Sequence, residues 1–108
     1  MKLLRVLSVM LVTTIAGYAS AEGPGWTGQL DVVYLVVTSD GGINIQTSPG
    51  LSGCDSNSGY GSTFASVYPD HPGLSQIYGS LLAAQMSGRK VKLYFVDSTC
   101  KVIEIIAY

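Results

Sequence analysis

This sequence is poor in the residues on which catalysis draws. It has a single histidine, His71, and only two cysteines, Cys54 and Cys100. One imidazole without a serine elbow of the G-x-S-x-G kind has no nucleophile to serve. His71 lies beside Asp70 at the predicted start of a helix, where the dipole opposes its protonation, and reads as a surface turn residue. No catalytic residue is therefore assigned, and the expectation is a protein that is not an enzyme. There is no C-x-x-C pair and no second His/Cys cluster to complete a zinc site. Asp55-Ser56-Asn57-Ser58-Gly59 opens like a calcium loop, but Tyr60 stands at its sixth position and Ser66 at its twelfth, where glycine and glutamate belong. It reads instead as a tight Asx-rich turn, and neither a metal nor any other cofactor is expected.

Positive charge is scarce too. Lys2 and Arg5 form a basic head before the apolar run Val6 to Ala16, which is too short to span a bilayer. Ala19-Ser20-Ala21 then supplies an A-x-A cleavage site. Residues 1–21 are thus predicted to be a signal peptide, and 22–108 a single mature domain, periplasmic or secreted. No cysteine marks a lipid-modified start, so no membrane anchor is expected after cleavage. The mature part keeps four basic residues against seven acidic ones, a net charge of −3. That balance argues against nucleic acid or anionic lipid as a partner. Arg89, Lys90, Lys92 and Lys101 read as a solvated edge that discourages strand addition rather than as a binding groove.

In an exported chain two cysteines predict one disulfide, Cys54–Cys100, closing 46 positions. The chain-entropy model values such a loop at about 4 kcal/mol. That is a large share of the roughly 5–15 kcal/mol that holds a domain folded.

What the mature chain does have is strand-forming residues and one amphipathic stretch. Glu22 to Gly28 is a Gly/Pro-rich lead-in without regular structure. It carries Trp26, which is expected to fold back as a lid on the core, the alternative being an exposed contact. Gln29–Thr38 is a strand apolar on both faces, with Leu30, Val32, Tyr34 and Val36 on one side and Val33, Leu35 and Val37 on the other. A turn at Ser39-Asp40-Gly41-Gly42 leads into Ile43–Thr47, whose Asn44 and Gln46 face is predicted to be wet. A long Gly/Ser loop, Ser48–Gly61, holds Cys54, and Ser62–Tyr68 is the third strand.

Pro72 to Gly88 is the helix. Leu74, Ile77, Tyr78, Leu81 and Leu82 fall at i, i+3, i+4, i+7 and i+8, with Asp70 as N-cap and Gly88 as the C-terminal stop. Gly79 in its middle allows close approach of a strand. Val91–Val96 and Lys101–Ala107 complete a β-β-β-α-β-β order, with Glu104 marking the wet face of the last strand. The fold class is mainly β with one helix. The order is that of an OB-like small barrel; an open antiparallel α+β sheet is the alternative.

Aromatic residues are numerous. Tyr34, Tyr78 and Tyr94 fit core or barrel-lining positions, while Trp26, Tyr60 and Tyr108 fall in loops or ends. Exposed aromatics flanked by Asn, Ser and Asp suit a sugar ring. The candidate ligand contacts are accordingly Trp26, Asp55, Asn57 and Tyr60.

The run from Ser48 onward also carries a resemblance. Cys54 in a Gly/Ser loop is followed by Leu81-Leu82-Ala83-Ala84-Gln85-Met86-Ser87-Gly88-Arg89-Lys90-Val91 and then by Cys100 before a closing apolar strand. It resembles small exported bacterial proteins that carry no established activity, which implies export, a disulfide and a small barrel-like domain. More distantly, the strand order is similar to that of the OB-fold B subunits of AB5 toxins, pentamers that bind glycans. The two functional expectations are a small exported binding or structural module, with a glycan or protein as ligand, and a glycan-binding oligomer of the toxin-B type. A homo-oligomer fits either.

Overall fold

The computed structural model describes residues 23–108; the predicted signal peptide and Glu22 lie outside the described residues. Among the described residues six strands and one α-helix follow in order: β1 (Gly25–Trp26), β2 (Asp31–Val37), β3 (Ile43–Ser48), β4 (Phe64–Val67), α1 (Leu74–Ser87), β5 (Val91–Phe95) and β6 (Val102–Ala107). The chain is mainly β with one helix, arranged as two antiparallel three-stranded sheets, β1-β5-β6 and β2-β3-β4. These do not merge into the closed barrel expected from the strand order. They meet at two single bridges, Leu30–Val91 antiparallel and Ser66–Lys101 parallel.

The first strand is one that the sequence hides. Gly-Pro-Gly reads as irregular, yet Gly25 and Trp26 pair with Phe95 and Tyr94. The chain then bends, and the ladder survives because a side chain stands in for a backbone group. The Leu93 N–H donates to the Thr27 hydroxyl at 3.0 Å, while the Thr27 N–H reaches the Leu93 carbonyl at 2.8 Å. Leu30 and Val91 then exchange a reciprocal pair of backbone bonds. One flank of β5 is therefore satisfied along its length.

β2 and β3 form the predicted hairpin, with the Thr38 N–H donating to the Gly42 carbonyl at 2.8 Å across the turn. The register slips between Val32 and Tyr34, a bulge that places one extra residue in β2. The bulge exchanges faces. Val32 joins Leu35, Ile45 and Ala65 against the core, whereas Tyr34 turns outward with Gln46 and Phe64. The expected grouping of Val32 with Tyr34 fails for this reason.

α1 lies against the core through Ile77, Leu81 and Ala84, with Leu74 and Tyr78 at its margin. It ends as predicted. Gly88 adopts φ 70°, where a Cβ would be strained, and its N–H bonds back to the Ala84 carbonyl. Its start differs. Gly73, not Asp70, is the N-cap and brings no side chain. His71 does that work: its Nδ1 accepts the Gly73 N–H at 2.9 Å, and Nε2–H donates to the Ile103 carbonyl of β6 at 2.7 Å. The histidine ties the helix start to the last strand.

The disulfide Cys54–Cys100 is formed. Both cysteines are buried, and they join the long loop to the turn before β6. The Ser66 N–H donates to the Cys100 carbonyl at 3.1 Å, so the staple sits at the seam between the two sheets.

Gly79 has open space around it, with nothing within 4 Å of where a Cβ would stand, so no strand approaches there. Gly79→Ala should therefore stabilise the fold by about 0.5–1 kcal/mol through helix propensity and a less flexible unfolded chain. The urea midpoint checks this; a loss of stability would mean that the glycine serves a contact.

Candidate functional site

The loop after β3 folds back over the outer face of β2-β3-β4, and the candidate site is built on it. Asn44 and Ser66 are cross-strand partners on that face. Asn44 was expected on a wet face, yet it and Ser66 are both 0% exposed. What buries them is the 3₁₀ turn Asn57–Gly59, which is joined to them by hydrogen bonds. The Ser66 hydroxyl donates to Asn44 Oδ1 at 2.5 Å and accepts the Asn57 N–H at 2.8 Å. Asn44 Nδ2 donates to the Asn57 carbonyl at 2.9 Å. Asn57 Nδ2 in turn reaches the Thr38 hydroxyl and the Asp40 carboxylate, each at 3.0 Å. Among the described residues no buried side-chain nitrogen or oxygen lacks a partner. Burying amides and hydroxyls without partners would cost several kcal/mol, and the closed network avoids that cost.

Asp40 is where the network reaches water. Its carboxylate accepts from the Thr38 hydroxyl, from the Gly42 N–H at 3.1 Å and from Asn57. The Thr38 bond first, and then those from Gly42 and Asn57, hold its pKa below the ordinary carboxylate value of 3.8. In the β5–β6 turn Asp97 is lowered in the same way by Thr99, whose N–H donates at 2.9 Å.

Beside this covered patch lies an open one. Tyr34 packs edge-on against Phe64 at 5.9 Å between ring centroids, and Tyr60 does so at 6.1 Å. Phe64 is buried, while Tyr34 is 47% and Tyr60 50% exposed. Gln46 and the Thr63 hydroxyl, 3.2 Å apart, add neutral polar groups to the row. Ser39, from the β2–β3 turn, and Ser58, Gly59 and Tyr60, from the loop tip, enclose an open cleft of about 480 Å³. Tyr60 thus borders both the cleft and the aromatic row.

The four residues singled out from sequence do not form one constellation. Asn57 is buried and its amide is spent on the network. Asp55 is exposed but stands at the disulfide, its N–H donating to the Thr99 carbonyl at 3.0 Å. Its carboxylate acts on Tyr68. Burial first, and then Asp55 and Asp97, push that phenol above its ordinary 10.0. Trp26 belongs to the other sheet and makes an edge-on pair with Tyr94 at 5.1 Å. It is 43% exposed, so it does not close over the core as a lid. Of the four, Tyr60 is the one that borders the cleft and the aromatic row. Tyr34 was placed in the core by the assumption of unbroken alternation; only the Val33 bulge brings it out.

The basic residues are dispersed as well. Lys90 pairs with Asp31 at 2.9 Å, and Lys101 lies 4.7 Å over the Tyr68 ring. Among the described residues no three His, Cys, Asp or Glu side chains come together as a metal site. The chain matches no known family model, no curated protein and no solved structure.

Two outcomes follow from the network. In Gly42→Ala the new Cβ would stand 2.2 Å from Asn57 Nδ2 and 3.2 Å from Pro69 Cδ. Asn57 cannot yield without losing its acceptors, so a loss of about 1–3 kcal/mol is expected in urea denaturation. The second concerns acid. Asp40 and Asp97 have lower pKa values folded than unfolded, so the unfolded state binds more protons in the acid range. Their contribution is complete above the ordinary carboxylate value and is lost as pH falls through the folded value. Stability should therefore decline below about pH 4, and Asp40→Asn should flatten part of that decline. Parallel pH curves for the two proteins would remove Asp40 from the account.

Proposed function

We propose that this chain is an exported, non-enzymatic binding module on an OB-like barrel, and that it holds a sugar ring on the aromatic row of β2-β3-β4. The observation that carries the reading is the pair of half-exposed tyrosines, Tyr34 and Tyr60, set on a buried Phe64. An aromatic face gives a sugar's C–H surface something apolar to lie on, and neutral amide and hydroxyl groups at its rim suit the sugar hydroxyls. Gln46, Thr63, Ser39 and Ser58 supply that chemistry without a charge.

Other features agree with the reading. The bridges Leu30–Val91 and Ser66–Lys101 support treating the two sheets as one barrel-like unit. Export rests on the A-x-A site and on the disulfide. A non-enzymatic role is supported by His71, whose two ring nitrogens are both engaged with backbone groups.

A glycan array probed with the mature protein tests the proposal, followed by titration of the best glycan. Tyr60→Ala and Tyr34→Ala should each weaken binding roughly tenfold or more, with the circular dichroism spectrum unchanged. An array without signal, or binding that survives both substitutions, would sink the sugar reading.

A further inference from the structure

We propose that β6 is a pairing edge, and that its partner is the β6 of a second copy, joined antiparallel about a two-fold axis at Ile105. The inference concerns a surface remote from the aromatic row and does not depend on the sugar reading.

β6 is the outer strand of β1-β5-β6. Its ladder with β5 sets Ile106 opposite Lys92, Ile105 opposite Leu93 and Glu104 opposite Tyr94. The Tyr108 N–H donates to the Lys90 carbonyl at 3.0 Å. Hydrogen bonding alternates along an antiparallel ladder, so Ile106 and Glu104 point their backbone groups at β5, and Ile105 and Ala107 point theirs away. Among the described residues those outward groups have no partner; the only outward bond is the one from His71 to the Ile103 carbonyl. Room for an incoming strand exists. Two clefts of about 380 and 430 Å³ share Ser80 and run between β6 and α1, the first past His71 and Gln76 and the second past the small residues Ala83 and Ser87.

Charge selects the partner. The bases expected to guard this edge are elsewhere, since Lys92 lies on the central strand and the edge strand itself carries only Glu104. Neither Lys92 nor Glu104 has an ion-pair partner among the described residues. With Ile105 paired to Ile105 of the partner subunit, Glu104 falls opposite Ile106 of the partner subunit. The next strand across carries Lys92 of the partner subunit on the same face. Two strand spacings of about 4.8 Å separate the Cα atoms, which the two long side chains can bridge. The symmetry makes this contact twice. It also covers Ile106, which is 40% exposed. The Ile103 carbonyl can keep His71 and accept a second N–H, because it has two lone pairs.

Light scattering behind a sizing column, across a concentration series, should show a dimer that dissociates on dilution. Hydrogen exchange should show the Ile105 and Ala107 amides gaining protection as concentration rises. Glu104→Lys places like charges together at both contacts and should weaken the dimer about tenfold or more; Glu104→Lys combined with Lys92→Glu should restore it. Glu104 is exposed and Lys92 half-buried, both on the face away from the core, so folding survives these changes. A monomer at every concentration, a ring larger than a dimer, a dimer indifferent to Glu104→Lys, or protection gained elsewhere would each overturn the proposal.

Discussion

The hydrogen-bonded node of Asn44, Asn57 and Ser66 is the constraint on which the arrangement of this small domain depends. Two of the three are fully buried, and an amide or hydroxyl in that position is tolerable only if its partners are fixed. The partners come from four parts of the chain: the β2–β3 turn, β3, the loop and β4. Each therefore holds the others in place. Because the loop must lie on the sheet to satisfy Asn44, the sheet acquires a second covered face. Because β4 carries Ser66, whose N–H reaches the Cys100 carbonyl, the node and the disulfide share one seam. The staple limits how far the loop can travel, and the node determines where it rests.

This division explains what could be read from sequence and what could not. The hairpin, the helix and its Gly88 stop are local, written in turn glycines and in apolar spacing. The disulfide needed only compartment and count. The node is written in Asn, Ser and Thr, residues that stand for solvent almost everywhere else. Within a Gly/Ser loop nothing local distinguishes the buried Asn57 from the exposed Ser58. The wet face assigned to Asn44 was a correct period with the wrong neighbour above it.

The bulge at Val33 illustrates a second limit. Alternation places side chains only while the register is unbroken, and one extra residue moved Tyr34 from the core side to the surface. Gly25 and Trp26 were missed for the complementary reason. A two-residue strand has no period, and the bond that continues it past the bend belongs to the hydroxyl of Thr27. His71 stood out because it is unique, but its role is mechanical, tying the helix start to β6. The candidate contact surface was legible in part. Tyr60 was found through its polar flanks, whereas its neighbours arrive only by folding.

Because the node grips the loop at Asn57, the side chains of Ser58 and Tyr60 just beyond it take no part in the hydrogen-bonded network. Ser58 and Tyr60 are exposed at the loop tip, where the Gly59 and Gly61 N–H groups bond back to Ser56. Tyr60, at φ −69°, can take new side chains without strain, whereas Ser58, at φ 59°, favours glycine, asparagine or aspartate. Over evolutionary time such a tip can change its target while the scaffold stays constant, and in the laboratory it is a position at which to randomise residues when a new specificity is wanted.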